Sequence, residues 1–170
     1  MMSASALRAQ LDAFLDEYRS RLHDSLEGLT EDEARRRLVP SRTTPLGLVK
    51  HVTYVEGVWF DQAITGRSYE EIGIASTPDR SFVLERDDTI ASVRAAYRDI
   101  CETSRRNTAS LDLDAVVTGR GERFLWQIHL HMLRELAQHL GHADILREQI
   151  LAARCLGQKN LQCKGVRSVK

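Results

Sequence analysis

The chain has 170 residues, enough for one domain with a sizeable core, and 42% hydrophobic and 28% charged residues are ordinary for a soluble globular protein. Its 24 basic and 24 acidic residues cancel, which argues against a nucleic-acid-binding role for the whole chain. The last 17 residues hold five basic residues and no acids, so the preceding part, with 19 basic and 24 acidic side chains, is mildly acidic. We predict a single domain over residues 1–153 and a basic, disordered tail over 154–170.

Cysteine content and hydropathy indicate the compartment. Cys101, Cys155 and Cys163 are an odd number without a paired framework, which favours a reducing environment. No window of about 18 residues is free of charge, so a membrane-spanning helix is not expected. The N-terminus lacks the apolar core of a signal peptide. We therefore expect a cytoplasmic protein without a membrane or nucleic-acid partner.

The first half of the chain predicts two long helices with a short one between them. Apolar residues between positions 7 and 29 recur at helical spacing, which predicts the first long helix. The capping box Thr30–Glu33 begins a short helix that reaches about Leu38. Thr44 and Pro45 begin the second long helix, and Gly66 ends it. The mixed composition of residues 67–85 predicts a long loop.

The second half predicts two more long helices. Asp87 or Asp88 can cap a third, with Cys101 on its apolar face as a core residue. A turn over residues 118–121 separates it from a fourth helix, which runs from about Glu122 to Ala153. Four long amphipathic segments with little strand signal predict an all-α bundle with a long connection between its second and third helices.

Four of the six histidines lie on the fourth helix, and a helical wheel separates them. On a wheel of about 100° per residue centred on Leu125, His139 lies about 40° and Glu135 about 80° from the centre of the apolar face. His131 and His142 lie at the edge of this face, and His129 lies on its other side. The predicted buried residues are Leu125, Ile128, Met132, Leu136, Ala143, Leu146 and Ile150.

Glu135 and His139 therefore stand out as a pair. A carboxylate beside a core is costly unless its charge is compensated, and residues one turn apart can converge on one point. His51 is the only histidine of the second helix, and a histidine on a facing helix would complete a metal site. Imidazole and carboxylate suit zinc, and also nickel, iron or manganese. In the alternative interpretation, Glu135 pairs with Arg134 or Arg147 and His139 is a hydrogen-bonded core residue.

Two stretches carry a resemblance to a known family. TPLGLVKHVTYVE (residues 44–56) resembles the second-helix signature of the DinB-like superfamily, and LRELAQHLGHADILRE (133–148) resembles the fourth-helix signature of its actinobacterial branch. That branch is related to the mycothiol-dependent maleylpyruvate isomerases. The resemblance covers residues 5 to 152. It implies a four-helix bundle with up-down-down-up topology, often found as a homodimer.

The resemblance also implies a metal site. The family takes one histidine from the second helix and two residues one turn apart from the fourth, and His51, Glu135 and His139 fall on these positions. His142 is a possible additional ligand or a residue that supports the ligands, and His131 is a weaker candidate. Trp59 and Trp126 are expected in the core, and the alternative for either is the mouth of a pocket.

Three functions remain open at this point. The resemblance implies a metal-dependent thiol transferase or isomerase that uses mycothiol or bacillithiol, with the metal activating the thiol. A non-catalytic metal-binding stress protein is the alternative, and a fourth ligand from His142 would favour it. An interaction module would dimerise through apolar residues such as Leu130, Leu133 and Leu140. The sequence does not choose among Arg42, Arg67 and Arg80 as partners of an acidic cofactor.

Overall fold

The computed structural model describes the chain over residues 3–165, with side chains described over 3–156. A π-helical turn, Gly57–Gln62, lies within the second long helical segment, and a small antiparallel hairpin precedes the last helix. The described part of the chain is mainly helical, as the sequence predicts. Its elements are α1 (Ala4–Asp24), α2 (Glu31–Ala34), α3 (Pro45–Glu56), α4 (Ala63–Thr65), α5 (Tyr69–Ile72), α6 (Pro78–Ser81), α7 (Ile90–Thr108), β1 (Val116–Val117), β2 (Arg123–Phe124) and α8 (Leu125–Gly165).

Side-chain caps explain where the predicted helices begin. Ser3 accepts a hydrogen bond from a backbone N–H of the first turn of α1, and Thr30 forms the predicted capping box. Thr44 caps α3 in the same way, with Pro45 in its first turn. Gly66 ends the continuous segment α3–α4 with a φ of 77°, a conformation that glycine adopts without strain.

The start of α7 differs from the prediction. Its N-cap is Thr89, whose hydroxyl accepts from the N–H of Ser92, and not Asp87 or Asp88. Asp88 is engaged elsewhere, because its carboxylate lies 2.7 Å from Lys50 Nζ on α3. This ion pair ties the start of α7 to α3.

Three other boundaries also differ. Residues 67–85, expected as a loop, contain the short helices α5 and α6, capped by Ser68 and Thr77. Helix α2 ends at Ala34 and not near Leu38. Helix α8 begins after the hairpin and continues to Gly165, past the expected end near Ala153, because the sequence there contains no proline to stop it. The end of the predicted tail, residues 166–170, lies outside the described residues.

The long helices pack in two parallel pairs. Helix α1 packs on α8, with Asp12 against His129 and, further along both helices, Ser25 against Arg147. Helix α3 packs on α7 and α8. The contacts of α3 with the α7 region also advance in chain order, from Lys50 with Asp88 to Glu56 with Ser104. Each pair therefore runs in one direction.

The core forms between these helices. All seven residues of the predicted stripe on α8 are buried, as is Cys101. Trp59 packs against the core from a partly buried position, but Trp126, expected in the core, is 42% exposed. Trp126 lies about 100° from Leu125 on the wheel, at the edge of the apolar face, and its ring stacks on Phe124 of the hairpin.

A buried ion pair lies within the core. Both oxygens of Glu56, which is fully buried, accept hydrogen bonds from the Arg19 guanidinium at 2.8 and 2.9 Å. Ser104 Oγ donates to the same carboxylate at 2.7 Å. This set of donors compensates the desolvated charge and joins α1, α3 and α7.

Among the described residues, no helix has both the length and the hydropathy needed to cross a membrane.

Candidate metal centre

The structure brings His51 of α3 together with Glu135 and His139 of α8. One ligand atom from each residue lies within 4.8 Å of the other two. His139 Nε2 is 3.5 Å from Glu135 Oε2, and the rings of the two histidines are 4.7 Å apart between centroids. Both histidines are buried, and Glu135 is partly exposed. Among the described residues, this is the only cluster of three or more possible ligands at such spacing.

Helix α6 orients the ring of His51. Ser81, at the end of α6, lies with its Oγ 2.7 Å from His51 Nδ1. The Ser81 hydroxyl donates to the carbonyl of Pro78, so it must accept the hydrogen bond from Nδ1–H. In the neutral imidazole, Nε2 then carries the free lone pair that a metal requires.

Aromatic contacts enclose the same ring. Phe82 stacks on His51 with 4.0 Å between centroids and an interplanar angle of 13°. The centroids of the Phe82 and His139 rings are 6.5 Å apart. The segment predicted as a loop thus supplies both a hydrogen-bond partner and an apolar cover for the site.

His139 has unmet hydrogen-bonding capacity. Its Nδ1 is buried and has no partner among the described residues, and its Nε2 has only the long contact with Glu135. A buried imidazole nitrogen without a partner is costly in free energy unless another group compensates it. The donor set of two imidazoles and one carboxylate fits a divalent transition metal.

The alternative pairing of Glu135 is present only in part. Glu135 Oε1 accepts a hydrogen bond from Arg134 at 3.2 Å, while Oε2 faces His139. Arg147 instead donates to the carbonyls of Ser25 and Glu27. The carboxylate therefore contacts solvent-exposed Arg134 on one side and the histidines on the other.

Burial lowers the pKa of both histidines. Desolvation, with a smaller contribution from His139, lowers the pKa of His51 to about 4 against the opposing attraction of Glu135. Desolvation also lowers the pKa of His139, with Glu135 opposing and His142 adding to the effect. Both rings are therefore neutral at pH 7, which is the form that binds metals.

The other histidines of α8 lie outside the ligand cluster. His142 is exposed, and its ring is 5.8 Å from that of His139. His131 Nε2 lies 3.7 Å from Glu135 Oε1, and its ring packs on Trp59. Both are neighbours of the cluster without belonging to the group of atoms within 4.8 Å.

His129 lies about 40° from Leu125 on the wheel, on the side of the apolar face opposite to Glu135, and it is almost fully buried, in agreement with that position. Its Nδ1 donates to the Leu125 carbonyl at 3.0 Å, and its Nε2 lies 3.1 Å from Asp12 Oδ1. His129 and Asp12 line a cleft of about 1020 Å³ between α1, the end of α7 and the start of α8. The cleft is large, but His51, Glu135 and His139 do not line it. A one-sequence wheel has no information about Asp12, which lies on another helix.

The arginines considered for an acidic cofactor have separate surroundings. Arg67 pairs with buried Asp61 at 3.0 Å and donates to the Glu71 carbonyl. Arg42 lines two surface clefts beside Phe82, and Arg80 is exposed on α6. None of the three contacts the ligand cluster.

The family of the chain is identified by comparison with known proteins. The family model described as Mycothiol-S-transferase matches residues 10–152 of the chain. No curated protein sequence matches the chain. The match spans the helices that carry His51, Glu135 and His139 and confirms the resemblance to the DinB-like superfamily. The chain therefore belongs to the Mycothiol-S-transferase family, a DinB-like family.

Proposed function

We propose that the protein is a metal-dependent S-transferase that joins mycothiol to an electrophilic acceptor. The observation that carries this proposal is the convergence of His51, Glu135 and His139 within a chain that matches the family model over residues 10–152. The family description favours mycothiol over bacillithiol as the thiol, and transfer over isomerisation as the reaction.

The three side chains would hold the metal through the free Nε2 of His51, the carboxylate of Glu135 and a nitrogen of His139. Zinc is the favoured metal, since two imidazoles and one carboxylate recur at catalytic zinc sites, where a further position stays open. A divalent metal bound there would lower the pKa of the thiol and keep the thiolate close to the acceptor. Ser81 and Phe82 hold the His51 ring, and partly exposed Glu135 marks the side open to the thiol.

The thiol of Cys101 does not compete for this role. Cys101 is buried on α7, and burial, with the nearby charge of Glu56, raises the pKa of its thiol well above the usual range. A thiol in that state is a poor nucleophile. The proposed nucleophile is the thiol of mycothiol, as the family description favours.

The non-catalytic alternative requires a different ligand set. A structural zinc site normally has four protein ligands. In the described part of the chain three ligands converge, and exposed His142 is not among them. The structure supports the enzyme better than a closed structural site.

We also propose that the long helices form the up-down-down-up bundle of the superfamily, because α1 runs parallel to α8 and α3 parallel to α7. A homodimer interface on α8 would use Leu130, which is half exposed. Leu140 was expected to share this interface, but it is buried in the core, and Leu133 packs against the core.

Metal content and turnover test the proposal separately. The purified wild-type protein and a His23→Ala control should carry metal, whereas His51→Ala and His139→Ala should lose it in elemental analysis. The zinc-loaded protein should conjugate mycothiol to 1-chloro-2,4-dinitrobenzene, and the two ligand variants should not. Full metal content in both variants would refute the site. Absence of turnover by metal-loaded protein across a panel of thiols and acceptors would refute the enzyme.

A further inference from the structure

The π-helical turn between α3 and α4 presents Trp59 beside the candidate metal centre. Turns of this kind are rare and occur often at functional sites, because the extra residue changes the direction of the side chains that follow. Trp59 is only partly buried, and its ring lies 4.3 Å from that of His131. His131 Nε2 in turn lies 3.7 Å from Glu135 Oε1. Trp59 is thus separated from the ligand cluster by one side chain.

The β1–β2 hairpin places two arginines on this tryptophan. The guanidinium carbon of Arg123 lies 5.3 Å from the centre of the Trp59 ring, and that of Arg120 lies 5.5 Å from it. Arg120 Nη1 also donates to Tyr69 Oη at 2.8 Å and to Gln62 Oε1 at 3.2 Å. The arrangement is fixed by contacts from the π-helical turn and from α5.

The hairpin reaches this position because residue 119 is a glycine. Its N–H donates to the Ala63 carbonyl at 3.0 Å, which attaches the hairpin turn to α4. A Cβ at this position would lie 2.1 Å from the Gln62 carbonyl oxygen and 3.0 Å from that of Ala63. Only glycine permits so close an approach. The neighbouring Arg120 is thereby held over Trp59.

The charges of this cluster are not balanced within the described structure. Neither Arg120 nor Arg123 forms a salt bridge with an acid among the described side chains, and the hydrogen-bond partners of Arg120 are neutral. Two guanidinium groups on one ring repel each other, and an anion bound between them would offset this repulsion. The nearby buried Asp61 is not that anion, because it pairs with Arg67.

We propose that Arg120 and Arg123, held on Trp59, bind a carboxylate group of the acceptor substrate next to the metal centre. This inference rests on the proposed function. Guanidinium groups match a carboxylate with paired, charge-assisted hydrogen bonds, and contact with the indole ring positions both of them. The acceptor is then a small electrophile with a carboxylate, whose reactive carbon faces the thiol at the ligand cluster. The arginines act in recognition, and the chemistry of the transfer does not involve them.

Binding of benzoate, with benzamide as its neutral counterpart, tests the site without turnover. All variants are made in a Trp126→Phe parent, in which Trp59 is the remaining tryptophan. Its fluorescence reports ligand binding, and calorimetry measures the affinity independently. Benzoate should bind and benzamide should not. Removing a charge-assisted hydrogen bond typically weakens binding by about tenfold or more, so Arg120→Gln and Arg123→Gln should each show a loss of that size. Arg98→Gln, which removes an exposed arginine of α7 without an ion pair among the described residues, should bind as the parent does.

Three results separate the possibilities. Benzoate affinity that is unchanged in both hairpin variants overturns the inference. Benzoate binding that disappears when a chelator strips the metal, and survives both arginine substitutions, also overturns it, because the carboxylate then binds the metal. Arginine-dependent benzoate binding in a protein that conjugates mycothiol to no acceptor supports the anion site and refutes the proposed transferase.

Turnover provides a second readout if the enzyme is active. With 4-chloro-3-nitrobenzoate as acceptor, Arg123→Gln should raise KM by about tenfold while kcat stays near the parent value. With neutral 1-chloro-2,4-dinitrobenzene, the same variant should keep the parent KM. An equal loss of kcat with both acceptors would overturn the inference, because it would indicate a structural role for the arginine.

Discussion

The tautomer of His51 depends on a single hydroxyl group. Ser81 donates its proton to the Pro78 carbonyl and therefore accepts from Nδ1 of the histidine, which leaves Nε2 unprotonated toward Glu135 and His139. Partners of this kind raise the affinity of a metal site by holding the ligand in the correct form.

Replacing this hydroxyl should weaken the site without removing a ligand. In Ser81→Ala, His51 loses its hydrogen-bond partner, and we expect zinc affinity to fall by roughly 10- to 100-fold. Competition with a chromogenic chelator measures the affinity, and Ser76→Ala, at an exposed serine before α6, is the matched control. Equal zinc affinity in the two variants would contradict a role for Ser81 in orienting His51.

At the same scale, sequence reasoning found some buried polar residues and missed others. Glu135 and His139 were selected because both lie near the apolar face of one helix, a property of local spacing. Glu56 was not selected, although it is fully buried, because its compensation comes from Arg19 on another helix. The pairing of His129 with Asp12 was not predicted for the same reason, because Asp12 lies on α1.

At the scale of elements, the hairpin and the π-helical turn depend on each other. The N–H of Gly119 binds the end of α4, and Arg120 binds Gln62 of the π-helical turn. Strand signals this short are not distinguishable from loop in one sequence, and a π-helical turn has the same apolar pattern as the α-helix around it. Both elements were therefore missed.

The close packing of the hairpin turn against α4 predicts that alanine at two different glycines changes the free energy of unfolding in opposite directions. Gly119→Ala places a methyl group against the carbonyls of Gln62 and Ala63, and overpacking of this kind costs about 1–3 kcal/mol of unfolding free energy. Gly141→Ala lies on α8 with open space around the added Cβ and should gain up to about 1 kcal/mol from helix propensity. Urea denaturation measures both. A Gly119→Ala variant as stable as its parent would show that the hairpin does not rest on α4 in this way.

At the scale of the whole molecule, burial of histidines makes the metal-free protein sensitive to acid. The unfolded chain takes up protons near the ordinary histidine pKa of about 6.5, whereas the folded chain holds the pKa of several histidines below it. The unfolded state therefore binds more protons as the pH falls below about 6.5, and the free energy of unfolding decreases. The residues with lowered pKa are His51, with a value of about 4, His129, His131 and His139.

Denaturation of metal-free protein should show this loss between about pH 6.5 and pH 4.5. The carboxylates with lowered pKa, Asp16, Glu33 and Glu71, add their own loss only below their ordinary values of 3.8 for aspartate and 4.5 for glutamate. The decrease in unfolding free energy between about pH 6.5 and pH 4.5 therefore comes from the histidines. Unfolding free energies that stay level from about pH 7 to pH 5 would contradict the prediction.

The sequence by itself determined the four long helices, the caps of α1, α2 and α3, the buried stripe of α8 and the pairing of Glu135 with His139. These features depend on residues at most a few positions apart, whose relation follows from the period of the helix. His51 as the third partner came from the family resemblance and not from local spacing, and the tertiary structure shows that it meets this pair. The tertiary structure alone decided that Ser81 orients His51 and that the hairpin arginines lie on Trp59. Such contacts join residues far apart in the chain, and their register depends on how helices pack, which local spacing does not specify.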